Sequence, residues 1–366
     1  MKKICFAFNH LEYSGGVSRV AIGIANHLAE NSNVEVTLRP IFKFEKSILS
    51  QLNPRVIVRP LFGFYFRGFA QILEKLPKKY IHNMVFDQSY DIEIGFQHGL
   101  ATVAAASFNE KRTSKNYIWV HGYDDQLQYL KYYQKADCVI CVSKFNADRL
   151  YEESNHTVKT EYCYNPIDDQ KIVEAGKQPV TDIPSVDGLR MISVGRLSAE
   201  KGFNRLVSCF AKLKEKYDFH CILIGDGPQH KELENQIEQY HLQSNVILLG
   251  ERKNPHAYTA KCDLFICSSY AEGYSTTCTE AIMLGVPVLS TKVSGADEII
   301  SDAKAGLVVE NTDAGLLEGL EKVLKNPSLI DEWKKTITNT KSNFSYETRV
   351  AKLDDILGVN TTNHIK

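Results

Sequence analysis

The chain has 366 residues, 43% of them hydrophobic and 24% charged, and its formal net charge at neutral pH is −1. That length is enough for two domains of ordinary size, and the composition is typical of globular rather than disordered proteins. The balanced charge argues against a nucleic-acid-binding protein, and no apolar run approaches the roughly 18 residues of a membrane span.

Strand-like and helix-like segments alternate through the first half of the chain. Residues 2–8 are predicted to form a strand, Gly15 and Gly16 a loop, and residues 17–29 a helix. A short helix is predicted at 144–153, and further strands at 34–40, 92–96, 116–121, 137–143 and 160–168. This alternation is typical of a parallel sheet with crossover helices.

A second alternating series follows residues 174–188, which are rich in proline, glycine and polar residues and which we interpret as a linker. Strands are predicted at 189–195, 220–228, 245–251, 262–269, 286–291 and 306–310, with helices at 202–216 and 229–241. The sequence thus predicts an α/β protein with two Rossmann-like, doubly wound parallel-sheet domains that face a cleft. Their predicted bounds are 1–175 and 189–343, followed by a C-terminal helix in 344–366.

Nine cysteines are scattered along the chain, most of them in apolar strand-like runs. The first eight residues carry the charge of a signal peptide on too short an apolar run, so we interpret them as a strand. An odd number of buried thiols and no signal peptide predict packing roles and a cytoplasmic protein.

Two carboxylates flank a predicted turn between a strand and a helix. Glu272 follows the strand at 262–269, and Glu280 lies about one turn into a helix that opens near Thr276 and stops at Gly285. The helix N-terminus between them offers free N–H groups and the positive end of the helix dipole. This arrangement suits the phosphates and hydroxyls of a nucleotide sugar; the alternative is an ordinary turn with solvated carboxylates.

Two further loops carry groups that suit phosphate. Arg196 and Lys201 lie five residues apart after a strand, where both cations can stabilise the charge that grows on a diphosphate as a glycosidic bond breaks. Gly15 and Gly16 precede the first helix, where exposed N–H groups can bind a phosphate oxygen. The alternatives are a solvated Arg–Lys pair and a plain tight turn.

Two of these stretches resemble a known family. Residues 272–288 contain Glu-Gly-Tyr-Ser, Thr-Glu-Ala and Gly-Val-Pro-Val, which resemble the Glu-x7-Glu motif of retaining glycosyltransferases with the GT-B fold, most of all glycosyltransferase family 4. Residues 195–202 match that family's Gly-Arg-Leu-x-x-x-Lys-Gly motif residue for residue. The resemblance covers nearly the whole chain and implies the GT-B fold, with a final helix that crosses back onto the first domain.

The resemblance also implies roles for individual residues. Glu280 should hold the ribose of the donor, Glu272 the transferred sugar, and Arg196 and Lys201 the diphosphate. A lone histidine at a strand end is more often structural, but the resemblance assigns His121 a contact with a hydroxyl of the donor sugar. Further donor contacts are implied for Gly15, Gly16, Tyr274, Ser275 and Thr276, and for Arg252 on the nucleobase loop.

The chain contains no Asp-x-Asp, the pair with which the other main glycosyltransferase fold holds a divalent metal, and no Cys/His cluster. We therefore expect a metal-independent reaction without a cofactor. UDP-sugars are common donors among similar proteins, which favours UDP. For retention without an evident nucleophile, the resemblance favours front-face attack, in which the departing β-phosphate takes the acceptor proton.

Residues 39–79 form a basic segment with nine lysines and arginines against two acidic residues, and aromatic residues lie between these charges. Such a segment suits an anionic membrane interface; the alternative is a core helix with a solvated basic face. Because many relatives glycosylate lipid-linked acceptors, the resemblance adds weight to a peripheral contact with the inner face of the plasma membrane.

The sequence as a whole predicts a retaining glycosyltransferase. It would move a hexose or N-acetylhexosamine from a UDP-sugar to a glycan acceptor on a lipid carrier, in the synthesis of a cell-surface polysaccharide such as a capsule. Two alternatives remain open: a GT-B nucleotide-sugar epimerase or sugar phosphorylase, and a two-domain sugar-binding protein without enzymatic activity.

Overall fold

The computed structural model describes residues 1–12, 16–107, 113–122, 126–183, 188–301 and 303–359. The chain divides into two compact units, Met1–Ile167 with Arg349–Lys366, and Asp168–Thr348. The first unit therefore ends before the predicted linker at 174–188. The reason is that residues 169–176 form a helix that packs inside the second unit, where a side chain on Gly176 would collide with Leu284.

The described part of the first unit contains one seven-stranded parallel sheet, in the order β3-β2-β1-β4-β5-β6-β7. Its strands are β1 (Lys2–Leu11), β2 (Val34–Phe44), β3 (Ile57–Val58), β4 (Ile92–Gly95), β5 (Lys115–Val120), β6 (Cys138–Cys141) and β7 (Thr160–Tyr162). Its helices are α1 (Gly16–Glu30), α2 (Phe69–Glu74), α3 (Lys78–Val85), α4 (Leu100–Ala105), α5 (Leu130–Tyr133) and α6 (Lys144–Glu153).

Several strand ends differ from the prediction: β1 continues to Leu11, the strand Phe219–Ile224 of the second unit ends earlier than predicted, and two further ends lie near prolines. Strand β2 was expected to stop at Pro40, which has no N–H to donate, but it runs on to Phe44. The pairing of β2 with β1 shifts register after the Phe8–Pro40 pair, and this local irregularity accommodates the hydrogen bond that Pro40 cannot donate. Strand β7 stops at Tyr162, several residues before the predicted end, although the N–H of Cys163 still donates to the carbonyl of Cys141.

The second unit, as far as the structure describes it, contains a six-stranded parallel sheet in the order β10-β9-β8-β11-β12-β13. Its strands are β8 (Leu189–Val194), β9 (Phe219–Ile224), β10 (Val246–Gly250), β11 (Leu264–Cys267), β12 (Val288–Thr291) and β13 (Gly306–Val309). Its helices are α7 (Asp169–Gly176), α8 (Phe203–Leu213), α9 (His230–Gln239), α10 (Pro255–Thr259), α11 (Thr276–Met283), α12 (Asp313–Lys325) and α13 (Ser328–Thr340), with α14 (Tyr346–Leu357) beginning at its end. The two sheets confirm the predicted α/β fold class.

Helix α14 belongs mostly to the first unit, and polar contacts hold it there. Nε2 of His27 lies 3.0 Å from a carboxylate oxygen of Asp354, and the guanidinium of Arg349 donates to the carbonyl of Asn165 at 2.7 Å. All four side chains are buried. The last helix is therefore an integral part of the first unit rather than a loose tail.

All nine cysteines are buried free thiols, which confirms the packing role that the sequence predicts. Burial raises the pKa of most of them; for Cys138 and Cys163 it reaches about 12. Over the described ranges, no helix is both long and apolar enough to cross a lipid bilayer.

The segment at 61–80 forms two short helices, α2 and α3, on either side of Pro77 instead of one amphipathic helix. Within it, Phe69 packs against Phe62, Phe64 and Phe66 at ring-centroid distances of 4.7–5.4 Å. One predicted surface cation, Arg39, is instead buried, where its guanidinium donates to three main-chain carbonyls and pairs with Asp87 at 3.1 Å. The basic segment therefore has one exposed cation fewer than its sequence indicates.

Candidate active site

The sheet order of the second unit brings two of the predicted loops together. Strands β8 and β11 are neighbours, and the strand order reverses between them, so the loops at their carboxyl ends leave the sheet side by side. Open parallel sheets bind ligands at this kind of switch point. Lys201 follows β8 and Glu272 follows β11, and the Nζ atom of Lys201 donates to Oε1 of Glu272 at 2.7 Å.

Glu272 is held by two donors on one oxygen. Besides Lys201, the hydroxyl of Ser269 donates to Oε1 at 2.6 Å, and the Glu272 side chain is 11% exposed. Because both donors use Oε1, Oε2 is left to accept from a further hydroxyl. These residues and Thr277 line one small recess.

The charge of Lys201 is maintained by this pair. Burial of the ammonium group acts to lower its pKa, but the charge of Glu272 and the hydrogen bond to it outweigh burial and raise the pKa above 10.5. A raised lysine pKa keeps the group charged up to that pH, and the stabilisation is lost only as pH rises through the folded-state pKa. Lys201 is therefore a permanent cation in the neutral range.

Arg196 lies on the same loop as Lys201, with its side chain exposed. The loop backbone is fixed by the neighbouring strand: the N–H of Gly195 donates to the carbonyl of Ile224, and that of Leu197 to the carbonyl of Asp226. The loop is rigid, whereas the guanidinium group is solvated and available to an anion.

Helix α11 begins where the sequence predicts. Ser275 is its N-cap residue and accepts a hydrogen bond from the N–H of Cys278. The first N–H groups of the helix, from Thr276 and Thr277, have no partner within the helix, and Thr277 lines the same recess as Glu272. Tyr274 is 6% exposed, and its ring packs against Gly295. The Tyr274 side chain is therefore packed within the protein, and the donor contacts of Tyr274, Ser275 and Thr276 stay predictions.

Glu280 projects from the second turn of α11 and meets a residue that the sequence analysis missed. Its Oε2 atom lies 3.2 Å from Nε2 of His256 on α10, and both side chains are about one-quarter exposed. Helix α10 is short and gives no periodic signal, so only the structure shows this pair.

A buried arginine supports the loop that carries Glu272. The guanidinium of Arg205 donates to the carbonyls of Ser268 and Ser269 at 2.7 and 2.6 Å and lies 3.8 Å from the centroid of the Tyr270 ring. It also donates to Asn311 at 2.8 Å. Sequence reasoning treated α8 as an ordinary crossover helix and did not single out this residue.

Arg252, predicted near the nucleobase, has protein partners in the structure. Its guanidinium pairs with Asp182 at 3.1 Å and donates to the hydroxyl of Tyr258 and to main-chain carbonyls. The contact of Arg252 with a nucleobase stays a prediction.

His121 lies in the first unit, at the end of β5, against the ring of Phe96 at 4.5 Å. Burial, together with the charge of His98, lowers its pKa to about 3 despite a hydrogen bond with the main chain of Phe96. His121 is therefore neutral near pH 7, where it can exchange hydrogen bonds with a hydroxyl but cannot serve as a charged acid. The contact with a donor sugar stays a prediction.

The glycine-rich turn is described only in part. Gly16 begins α1, is exposed and has open space on the side where a side chain would lie, whereas Gly15 lies outside the described residues. Over the ranges that the structure covers, no group of three or more His, Cys, Asp or Glu side chains is placed to hold a metal ion.

Comparison with known proteins agrees with this architecture. The crystal structure of Anabaena HepE in complex with UDP and glucose superimposes with a TM-score of 0.74 at 19% identity, over 98% of this chain and 100% of that one. The lipopolysaccharide outer core galactosyltransferase WaaB superimposes with a TM-score of 0.73 at 17% identity, over 97% and 99% of the two chains. The chain has the GT-B fold. At these identities the likeness concerns the fold alone.

Residues 184–341, which include every proposed donor contact of the second GT-B unit, match the family model of the Glycosyl transferases group 1. A Campylobacter jejuni N-acetylgalactosamine-N,N'-diacetylbacillosaminyl-diphospho-undecaprenol 4-alpha-N-acetylgalactosaminyltransferase is 34% identical over 205 residues, 55% of this chain and 54% of that protein. The chain thus spans about half the length of the first curated relatives that it matches. Together, the family model and the fold support a GT-B glycosyltransferase.

Proposed function

We propose that this protein is a retaining glycosyltransferase of family 4 that transfers a hexose or N-acetylhexosamine from a UDP-sugar to a glycan acceptor. The observation that carries the proposal is the Lys201–Glu272 pair at the β8/β11 switch point, beside the N-terminus of α11. A fixed cation, a carboxylate with a spare oxygen and free N–H groups form one site for a sugar diphosphate.

The donor would use these groups as follows. The diphosphate lies between the cations Arg196 and Lys201 and the first N–H groups of α11, which favour negative charge. Hydroxyls of the transferred sugar donate to Glu272, and hydroxyls of the ribose donate to Glu280. When the donor binds, the ammonium group of Lys201 shifts part of its interaction from Glu272 to the diphosphate, because the diphosphate carries more negative charge than one carboxylate.

The reaction that we propose is a front-face displacement without a metal ion. The bond between the sugar C1 and the β-phosphate oxygen breaks, and a bond from the acceptor oxygen to C1 forms on the same face. The acceptor proton passes to the departing phosphate oxygen, so no side-chain base is needed. Arg196 and Lys201 stabilise the charge that grows on the leaving diphosphate.

The comparisons support the substrate classes in this proposal. The Campylobacter relative is named for a diphospho-undecaprenol acceptor, and HepE was crystallised with UDP. We therefore propose a UDP-sugar donor and a lipid-linked glycan acceptor of a cell-surface polysaccharide for this chain.

The test is a thermal shift assay with UDP, GDP, UDP-glucose, UDP-galactose, UDP-N-acetylhexosamines and GDP-mannose, each with and without EDTA. A ligand that binds only the folded protein raises the unfolding midpoint, and at a hundredfold excess over Kd it adds about 2.7 kcal/mol of stability. We expect a rise with the uridine series that EDTA does not change. A flat response to the whole panel would remove the nucleotide site, and a rise that EDTA abolishes would refute metal independence.

We also propose that the first unit contacts an anionic membrane through a patch within residues 64–80. Four cations of this patch are exposed, at Arg67, Lys75, Lys78 and Lys79. Five large apolar side chains among them are between 41% and 69% exposed: Phe64, Phe66, Ile72, Leu76 and Tyr80. Exposed apolar groups interleaved with cations suit a membrane surface with negative charge.

Sedimentation with lipid vesicles tests this contact. The wild type should bind vesicles that contain phosphatidylglycerol but not pure phosphatidylcholine, and salt should weaken binding. At about 1 kcal/mol per cation, the triple variant K75E/K78E/K79E should lose more than about a hundredfold in partitioning. The matched control reverses three exposed lysines of the second unit: K212E/K231E/K335E. Equal losses in the two triple variants would show that net charge, not the patch, drives binding.

A further inference from the structure

The contact between Glu280 and His256 has a geometry that suggests a function. Oε2 of Glu280 and Nε2 of His256 are 3.2 Å apart, within ion-pair distance, but the ring N–H is not aligned on the oxygen as in a hydrogen bond. Nε2 is sealed from solvent and has no hydrogen-bond partner among the described residues. The carboxylate of Glu280 is the ion-pair partner that the described part of the chain places at this nitrogen.

The first turn of α10, which carries His256, is held in place by several hydrogen bonds. Asn254 is the N-cap of α10 and accepts from the N–H of Ala257, while its amide donates to the carbonyl of Ala175 at 3.0 Å and to Gln178 at 3.1 Å. Pro255 occupies the first turn, where its fixed φ suits a helix. Because this turn is held in place, the His256 ring has little freedom to move. The Glu280 side chain is therefore the group that rotates to meet the ring.

The 3.2 Å separation lets a small rotation of the Glu280 side chain bring Oε2 into line with an N–H group at Nε2. A donor beside Oε2 fixes the plane of the carboxylate and offsets part of its charge. Both effects matter if Glu280 accepts from ribose hydroxyls next to a diphosphate, because an unscreened carboxylate repels that anion. An outer partner that orients a ligating group is a general feature of binding sites.

We propose that His256 is a positioning residue that orients Glu280 toward the two ribose hydroxyls of the nucleotide. The inference rests on the proposed function, because it requires a nucleotide at Glu280. It goes further by making the recognition of ribose depend on α10, which carries no motif of the family resemblance. A merely structural His256 would affect folding but not the discrimination between ribose and its deoxy analogue.

Calorimetric titration with UDP and GDP, and with their 2′,3′-dideoxy counterparts, separates these cases. The wild type should prefer the hydroxyl-bearing nucleotide. His256→Ala should weaken the binding of the hydroxyl-bearing nucleotide about tenfold, as expected for the loss of a hydrogen bond to a charged group. The same variant should change the affinity for the dideoxy nucleotide little. His256→Gln, which keeps an N–H donor, should restore most of the preference. In turnover, His256→Ala should raise KM more than it lowers kcat.

Two further variants make the outcomes decisive. Glu280→Gln should lose the same preference, and Lys261→Ala, an exposed cation just after α10, should behave as the wild type. If Glu280→Gln loses the preference and His256→Ala and His256→Gln both keep it, the positioning role is wrong and the ribose site stands. If Glu280→Gln keeps the preference for the ribose-bearing nucleotide, or if the wild type binds neither nucleotide, the proposed ribose site is wrong, and the positioning role of His256 is wrong with it.

Discussion

We expect the replacement of Lys201 with alanine to lower turnover about 10²- to 10³-fold while the protein remains folded. This is the loss that follows removal of one fixed charge-stabilising group from a developing negative charge. The effect is large because the group is a permanent cation held at the switch point of the sheet. Arg196→Ala should cause a severe loss of the same kind. The measurement is the rate of UDP release from the donor sugar, with circular dichroism to monitor folding.

The control for charge alone is Lys212→Ala, which removes an exposed cation at the end of α8 and should leave turnover unchanged. A double-mutant cycle with Glu272→Gln separates two roles of Lys201. If Lys201 served only to orient Glu272, the double variant would be no slower than Glu272→Gln. Wild-type turnover in both Lys201→Ala and Arg196→Ala would remove the diphosphate assignment.

We expect the replacement of Gly202 with alanine to destabilise the second unit by about 3 kcal/mol or more, one of the larger effects expected of a single methyl group. Gly202 links the Lys201 loop to α8 with φ of +65°, in the left-handed region. A Cβ atom there would collide with the carbonyl oxygen of Ser268 and lie 2.9 Å from Nε of Arg205. The obstacle is backbone that carries Glu272, so relief of the collision must also displace the site.

Gly250 provides a matched control. Its φ is +69°, nearly the same as that of Gly202, but a Cβ at this position would meet nothing within 4 Å. Gly250→Ala should therefore cost only the backbone strain, about 1 kcal/mol. Urea unfolding monitored by circular dichroism measures both. Equal midpoints for the two variants would show that strain, not the close approach of Ser268, governs this turn.

Much of the fold follows from the sequence because the hydrophobic pattern along each strand and helix is local. Helices α6 and α11 begin where the sequence predicts them, since caps such as Ser275 act within a few residues. The predicted order of alternating elements also dictates parallel sheets. The ends of β2 and β7 differ because pairing with neighbouring strands, which no local signal reports, decides how far a strand continues.

The motifs likewise identified Lys201 and Glu272 separately, but their 2.7 Å contact depends on β8 lying next to β11, two strands 70 residues apart. The same is true of His256 beside Glu280, and of Arg205, which reaches the carbonyls of a loop more than 60 residues away. By itself the sequence determined the elements and the charged groups at their ends. Only the tertiary structure decided which of these groups meet, because strand order is set by packing of the whole sheet.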